Sequence, residues 1–103
     1  MSLSDQGDKQ LGANDSIYVL KLYVAGTTPS SARAVVNIRK ICETHLEGRY
    51  ELEVIDIISR PEMAKKADLI GAPTLVRHQP LPLRRFLGDM SMTDRLLSRL
   101  EID

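Results

Sequence analysis

The sequence predicts an α/β domain with the element order βαβαββα, and three observations indicate it. Residues 17–24 form an apolar, β-branched and aromatic run with one charged member, which is typical of a strand in the middle of a sheet. Apolar residues at three- and four-residue spacing follow and indicate a helix. Residues 50–58 begin with strict alternation, which predicts a second strand. A crossover of this length joins parallel strands in the right-handed sense.

The first helix has start and stop signals in the sequence. Gly26 permits a tight turn after the first strand, Thr28 can cap the helix, and Pro29 suits its first turn. Gly48 ends the helix. The positions expected to face the sheet are Ala32, Val35, Val36, Ile38, Ile41, Cys42 and Leu46.

A second, shorter helix begins at Ser59 or Arg60, before Pro61, and ends at Gly71. Its inner face is expected to hold Met63, Ala64, Ala67, Leu69 and Ile70.

The third strand is predicted at residues 72–76, with Pro73 at its start, where a missing N–H donor is tolerated. Residues 77–83 contain two prolines and predict a loop. Residues 84–87 can then pair as an edge strand until Gly88 and Asp89 turn the chain.

Ser91 is expected to cap the last helix. Its inner face is expected to hold Met92, Leu96, Leu97, Leu100 and Ile102. Residues 1–15 have almost no apolar side chains, so we expect a flexible tail there and a single domain over residues 16–103.

Composition excludes several classes of function. Fourteen Lys and Arg balance fourteen Asp and Glu, so no net field draws this chain to nucleic acid or to a membrane, and self-association is easy. No apolar run is long enough to span a membrane, and the N-terminus lacks a signal-peptide pattern. The single cysteine, Cys42, cannot form an internal disulfide. We expect a cytoplasmic protein.

The element order, with Ala72-Pro73-Thr74 before the third strand, is that of a thioredoxin-like domain. Thioredoxin chemistry needs a thiolate at the start of the first helix, but that place holds Thr28 and Ser30. We interpret Cys42 as a core residue and Thr28 as a cap, with anion binding at the helix start as the alternative. His45 and His78 lie far apart in the sequence. We therefore expect no enzyme activity, no metal and no cofactor.

The one concentration of positive charge comprises Arg77, Arg84 and Arg85, together with Arg33. It adjoins the apolar loop 80–83, and apolar surface rimmed by arginine is typical of a protein interface. The alternative is that arginines protect an edge strand from unwanted pairing.

Two acidic residues, Glu51 and Glu53, alternate along the second strand. They indicate a solvent-exposed face or, as the alternative, a charged strand edge that a partner protein recognises.

Several segments together resemble the KaiB family of circadian clock proteins: residues 18–26, 54–56, 72–75, 80–85 and 88–89, in a match from about Tyr18 to Ile102. The resemblance implies a non-enzymatic protein that docks on KaiC, a ring-forming ATPase and autokinase, and modulates its phosphorylation or signalling in a clock or a stress timer. Arg33, Arg84 and Arg85 match basic positions of the family. In cyanobacteria, KaiB captures KaiA and displaces the sensor kinase SasA, whose sensory domain is thioredoxin-like.

The resemblance also implies two folds. A thioredoxin-like form binds KaiC, and a resting form of order βαββααβ shares the N-terminal half and assembles as a tetramer. Prolines and glycines interrupt the sequence after Gly48, so the second half contains no long predicted helix or strand. Two different tertiary arrangements of that half are therefore physically reasonable. The positions that we assign to structure or switching are Gly26, Pro73, Gly88, Asp89, Arg99 and Glu101.

The chain departs from cyanobacterial members in three places, and the first lies on the second strand, at the edge that the KaiA contact uses. Glu51 and Glu53 replace a small residue and a lysine, which argues against KaiA capture. Arg99-Leu100-Glu101 replaces Gly-Leu-Asp, and the printed chain ends at Asp103 without their acidic tail. We expect a homologue outside the core cyanobacterial oscillator that forms a dimer or tetramer. One alternative is an interaction domain for a histidine kinase. The other is a thioredoxin-type oxidoreductase, which the absence of the required thiols argues against.

Overall fold

The structure is a computed structural model that describes residues 17–102, so the predicted tail at residues 1–15 lies outside the described residues. The elements follow the predicted order. They are β1 (Tyr18–Val24), α1 (Pro29–His45), β2 (Tyr50–Asp56), α2 (Pro61–Lys66), β3 (Thr74–Gln79), β4 (Arg84–Leu87) and α3 (Thr93–Arg99).

The four strands form one sheet in the order β2-β1-β3-β4. β1 pairs with β2 in parallel, from Tyr18 opposite Tyr50 to Val24 opposite Asp56. β3 is antiparallel to β1, and β4 is antiparallel to β3. β1 is therefore central, as predicted, and β2 and β4 are the outer strands.

The core lies mainly on one face of the sheet, where α1 and α3 pack. Its buried members come from β1, α1, β3 and α3 and from residues that flank the two helices: Tyr18, Leu20, Leu22, Val24, Ala34, Ile38, Ile41, Cys42, Leu46, Leu75, Met90, Leu96, Leu100 and Ile102. A smaller cluster on the other face packs Tyr23, Ile55 and Val76 against the α2 segment. The sheet thus has one fully covered face and one partly covered face.

The predicted inner face of α1 is partly wrong. Ala32 is exposed and Val36 is 65% exposed, whereas Ser31 and Ala34 are buried. The buried stripe is narrower than the set of apolar residues because only one side of α1 meets the sheet. The predicted cap is confirmed, since the Ser31 N–H donates to Thr28 Oγ1 at 3.4 Å.

β2 ends earlier than predicted. Asp56 Oδ1 accepts hydrogen bonds from the N–H groups of Gly26 and Ile58, each at 2.9 Å, and so turns the chain. Ile58 is 68% exposed as a result. Gly26 has a φ of +61° in this turn, a conformation that favours glycine.

α2 also ends earlier than predicted, at Lys66. Asp68 follows with a φ of +56°, which no right-handed helix accommodates. Ile70, expected on the inner face, is 93% exposed because the helix no longer directs it inward.

β3 is longer than predicted and shifted toward the C-terminus, with Arg77, His78 and Gln79 inside the strand rather than in a loop. The peptide bond between Ala72 and Pro73 is cis.

The start of the last helix was predicted wrongly as well. α3 begins at Thr93, after Met92, and Ser91 does not cap it. Instead, the Ser91 N–H donates to Asp89 Oδ1 at 3.0 Å. Met92 is 53% exposed rather than on the inner face.

Candidate protein-binding surface

β4 is a four-residue outer strand whose side chains alternate between the two faces of the sheet. Arg84 and Phe86 are partly buried, and Arg85 and Leu87 are exposed. Phe86 packs against the main core, which places its face on the α1 and α3 side. Adjacent residues of a strand point to opposite faces, so Arg84 and Arg85 do not share one surface.

Arg84 lies on the helix-covered face and is held by an acidic partner. Its Nη2 is 3.2 Å from Glu101 Oε2. This hydrogen bond and ion pair with Arg84 lower the pKa of Glu101, and Arg77 adds to the effect. Glu101 has a φ of +58° and follows Leu100, the C-cap residue of α3. Arg84 therefore connects β4 to the C-terminal segment.

Arg77 does not belong to the exposed arginines, which corrects the predicted grouping. Only 1% of its side chain is exposed. Its guanidinium donates to the carbonyl of Leu100 and, at 2.7 Å, to that of Pro82, and it pairs with Glu101 at 3.4 Å. β3 places Arg77 on the same face as Leu75, beneath α3. Its role in this structure is to join β3, the β3–β4 loop and the C-terminal segment.

Arg33 lies on α1, next to the turn at the far end of β4. Its Nε is 3.0 Å from Asp89 Oδ2, and its side chain is 58% exposed. Hydrogen bonds from Ser91 and Arg33 lower the pKa of Asp89 to about 2. Asn37 Nδ2 also donates to the Asp89 carbonyl at 2.9 Å. Asp89 thus ties the turn after β4 to α1 and occupies one side of the Arg33 guanidinium.

Gly88 precedes Asp89 with a φ of +138°, a conformation open to glycine. Its N–H donates to the Pro73 carbonyl at 2.9 Å. Two predicted structural positions, Gly88 and Pro73, are therefore in direct contact where β3 begins and β4 ends.

Arg85 lies beside an open groove with a cavity of about 300 Å³. The groove is lined by Asp68, Leu69, Ile70, Thr74, Arg85, Leu87 and Arg99. Two of its apolar side chains are largely exposed, Ile70 at 93% and Leu87 at 55%. Arg85 Nη2 donates to the Ala67 carbonyl at 2.9 Å, and Arg99 Nε donates to the Arg85 carbonyl at 3.1 Å.

We call Ile70, Arg85, Leu87 and Arg99 the β4 surface. It combines exposed aliphatic area with two guanidinium groups, a composition that suits contact with a protein. Sequence reasoning found Arg85 and singled out Arg99 for another reason. The sequence predicts Ile70 on the inner face of the second helix and Leu87 in the edge strand, so neither is predicted as part of a binding surface.

Glu51 and Glu53 are exposed on β2, at the opposite edge of the sheet. Glu53 is opposite Lys21 in the register of β1 and β2, and Glu51 is opposite Val19. The structure therefore separates the predicted acidic residues from the arginines by the full width of the sheet.

No thiol lies at the start of α1. Cys42 is fully buried, and this burial raises the pKa of its thiol to about 12. The Ser31 hydroxyl at the helix start accepts the Ala25 N–H at 3.0 Å. Within residues 17–102, no cluster of three His, Cys, Asp or Glu side chains could hold a metal ion. The described helices also include none long and apolar enough to cross a membrane.

A sequence model of the KaiB domain matches residues 21–102. The chain belongs to the KaiB family. Similar relatives include the circadian clock oscillator protein KaiB of Prochlorococcus marinus, 44% identical over 85 residues that cover 82% of this chain and 73% of the relative. The KaiB of Synechococcus elongatus is 42% identical, over 82% of this chain and 83% of the relative.

Solved structures confirm the thioredoxin-like fold of this KaiB-family chain. The N-terminal domain of Synechococcus elongatus SasA has a TM-score of 0.68 and 26% identity, over 82% of this chain and 80% of that domain. Mitochondrial thioredoxin 3 of Saccharomyces cerevisiae has a TM-score of 0.67 over 97% of this chain and 90% of that one, and at 13% identity it shows the fold alone. The predicted family and fold class are both confirmed.

Proposed function

We propose that this chain is a non-enzymatic regulatory protein that docks on a KaiC-like ATPase ring and modulates its phosphorylation or signalling. Membership of the KaiB family supports a role in clock-related protein–protein interaction. The observation that carries the choice of surface is the position of Arg85 beside the exposed side chains of Ile70 and Leu87. We further propose that residues 16–103 act as one domain in this binding.

The arginines have different parts in the proposed contact. Arg85 and Arg99 lie on the β4 surface, where an acidic residue of the ring would pair with them and an apolar one would cover Leu87. Arg33 and Arg84 lie outside that groove, each beside its own carboxylate. We assign them contacts at the rim of the interface, where charge affects the association rate more than the dissociation rate.

A charge reversal at one position tests the surface. Arg85→Glu should weaken binding to a KaiC-like ATPase about tenfold, equivalent to about 1.4 kcal/mol. The loss should shrink at high salt because exposed charges are screened. Arg84→Glu is a less clean test, since it would place a second carboxylate beside Glu101. Affinity can be measured by fluorescence anisotropy of labelled chain.

The matched control is Arg39→Glu, which makes the same charge change at an exposed position of α1. Equal losses for Arg85→Glu and Arg39→Glu would contradict the assignment of the site. Unchanged affinity of Arg85→Glu, in a variant with the circular dichroism of the wild type, would also contradict it.

The similarity to the SasA domain supports a second candidate, an interaction domain that works with a histidine kinase. A pull-down from cell extract separates the two: a ring-forming ATPase supports the first, and a histidine kinase alone supports the second. KaiA is not a proposed partner, because Glu51 and Glu53 occupy the edge that family members use for it.

A further inference from the structure

The two outer strands of the sheet carry opposite charges. β2 exposes Glu51 and Glu53 on one face. β4 exposes Arg85 on that same face, since a row of paired residues crosses the sheet from Glu53 through Lys21 and Val76 to Arg85. Arg99 adds a second positive charge at the β4 edge.

We propose that a second copy of this chain docks its β4 strand along β2 of the first copy. The sheet would then continue from one copy into the next. This inference does not rest on the proposed function, because it concerns the chain alone.

Strand direction favours this arrangement. β2 is parallel to β1, β3 is antiparallel to β1, and β4 is antiparallel to β3. β2 and β4 therefore run in the same direction. A copy placed beside the first in the same orientation brings β4 parallel to β2, with the helix layers of both copies on one side of the sheet.

Part of the β4 backbone points away from β3, toward the position of the second copy. The hydrogen bond from the Gly88 N–H to the Pro73 carbonyl fixes which residues face β3. In an antiparallel pair the inward-facing residues alternate, so Arg84 and Phe86 also bond toward β3. Arg85 and Leu87 direct their N–H and C=O groups outward. The Arg85 carbonyl, which Arg99 contacts, has a second lone pair for another donor.

The backbone of β2 has the matching pattern. The Tyr18 N–H donates to the Arg49 carbonyl, and the Ile57 N–H donates to the Val24 carbonyl. By the same alternation, the odd-numbered residues of β2 bond toward β1. Leu52 and Val54 direct their backbone groups outward.

Two registers satisfy bonding and charge together. With Phe86 of the second copy opposite Leu52, Arg85 of that copy lies opposite Glu51. With Phe86 opposite Val54, Arg85 lies opposite Glu53. In both registers the paired side chains share a face, and opposite charges on directly facing residues stabilise a strand pair.

Charge also selects this pairing over the other two combinations of edges. Pairing of β2 with β2 would bring glutamates together, and pairing of β4 with β4 would bring arginines together. Like charges directly opposite destabilise a strand pair. Because the chain has no net charge, no overall repulsion opposes association. A contact between two different edges does not close on itself, so it leads to rings or open chains of copies.

Sedimentation velocity of the chain alone, over a dilution series at low salt, tests the proposal. The wild type should associate, and the association should weaken as salt increases. Glu51→Lys with Glu53→Lys should reduce the association constant about tenfold or more. Arg85→Glu with Arg99→Glu should do the same. The control pair Glu47→Lys with Glu62→Lys makes the same charge change at exposed positions outside β2 and β4 and should leave association intact.

The decisive experiment mixes the Glu51→Lys, Glu53→Lys variant with the Arg85→Glu, Arg99→Glu variant. Each variant alone has two edges of like charge, but the mixture restores opposite charges at every contact, so association should return to within about threefold of the wild type. A monomeric wild type across the series would overturn the proposal. Edge variants that associate as strongly as the wild type, or a mixture that stays monomeric, would overturn it as well. Circular dichroism of each variant establishes that it is folded.

Discussion

Cys42 lies in the apolar layer between α1 and the sheet, with none of its surface exposed. Its raised pKa keeps the thiol protonated, which is the opposite of what a redox nucleophile needs. We predict that Cys42→Ser costs about 1–3 kcal/mol of unfolding free energy, because it buries a hydroxyl among apolar side chains. Urea denaturation measures the cost. Partner binding of the folded variant should not change, and a loss of binding without a loss of stability would contradict the core assignment.

Asp89 gives a prediction about pH. Its folded pKa of about 2 lies below the ordinary 3.8, so its ionised form is favoured in the folded state. The stability that it contributes is present above pH 4 and is lost as the pH falls toward 2. The difference in urea midpoint between wild type and Asp89→Asn should therefore shrink over that range. A difference that is constant from pH 5 to about pH 2 would show that the charge of Asp89 contributes nothing.

At the residue scale, the polarity of a side chain does not always predict whether it is buried. The sequence groups Arg77 with the exposed arginines, since charged side chains are rarely buried. In the structure three backbone and side-chain acceptors bind its terminal nitrogens Nη1 and Nη2, while its buried Nε has no hydrogen-bond partner among the described residues. Those acceptors come from residues 82–101, and no local pattern around Arg77 announces them. One pattern in the sequence does indicate that Arg77 is buried. If the third strand continues past Val76, the alternation of faces places Arg77 on the same face as the core residue Leu75.

α3 is a short helix whose last residue is Arg99. At this position the resemblance to the KaiB family implies glycine in cyanobacterial members. The helix propensity of arginine is more favourable than that of glycine by about 0.5–1 kcal/mol. A basic residue in the last turn also interacts favourably with the helix dipole. The hydrogen bond from Arg99 to the Arg85 carbonyl adds a contact between α3 and β4. All three effects favour the thioredoxin-like fold.

If this chain has the two folds that the family resemblance implies, we predict that Arg99→Gly shifts their equilibrium several-fold toward the resting form. NMR of wild type and variant at the same concentration measures the two populations. Light scattering over a dilution series serves as the control for assembly, since a tetramer would favour the resting form by mass action. A wild type that is a resting-form tetramer, and a variant indistinguishable from it, would show that assembly overrides the helix.

At the scale of elements, local signals predict existence better than boundaries. All seven predicted elements are present, because each has its own periodicity and start or stop residues. The errors fall where a tertiary contact competes. Asp56 ends β2 by bonding Gly26, which is 30 residues away in sequence, and Asp89 takes the N–H of Ser91 before α3 begins. Such side-chain contacts override the local preference for strand or cap.

At the scale of the whole molecule, the sequence predicts that β1 is central, that β1 and β2 are parallel and that β4 lies at an edge. What the sequence could not predict is the pairing of surfaces. Leu87 and Ile70 meet Arg85 and Arg99 in one groove only because α2 stops at Lys66 and β4 lies at the edge of the sheet. The separation of acidic and basic edges likewise arises from topology, not from the spacing of residues along the chain.

Complex formation with a KaiC-like ATPase from the same organism tests the central claim most directly. The chain and the ATPase are mixed with ATP and separated by size-exclusion chromatography, and the phosphorylation of the ATPase is followed in parallel. We predict that the chain elutes with the ring and that the time course of phosphorylation changes, while Arg85→Glu elutes mostly alone. Separate elution of the folded wild-type chain, with phosphorylation unchanged, would contradict the account.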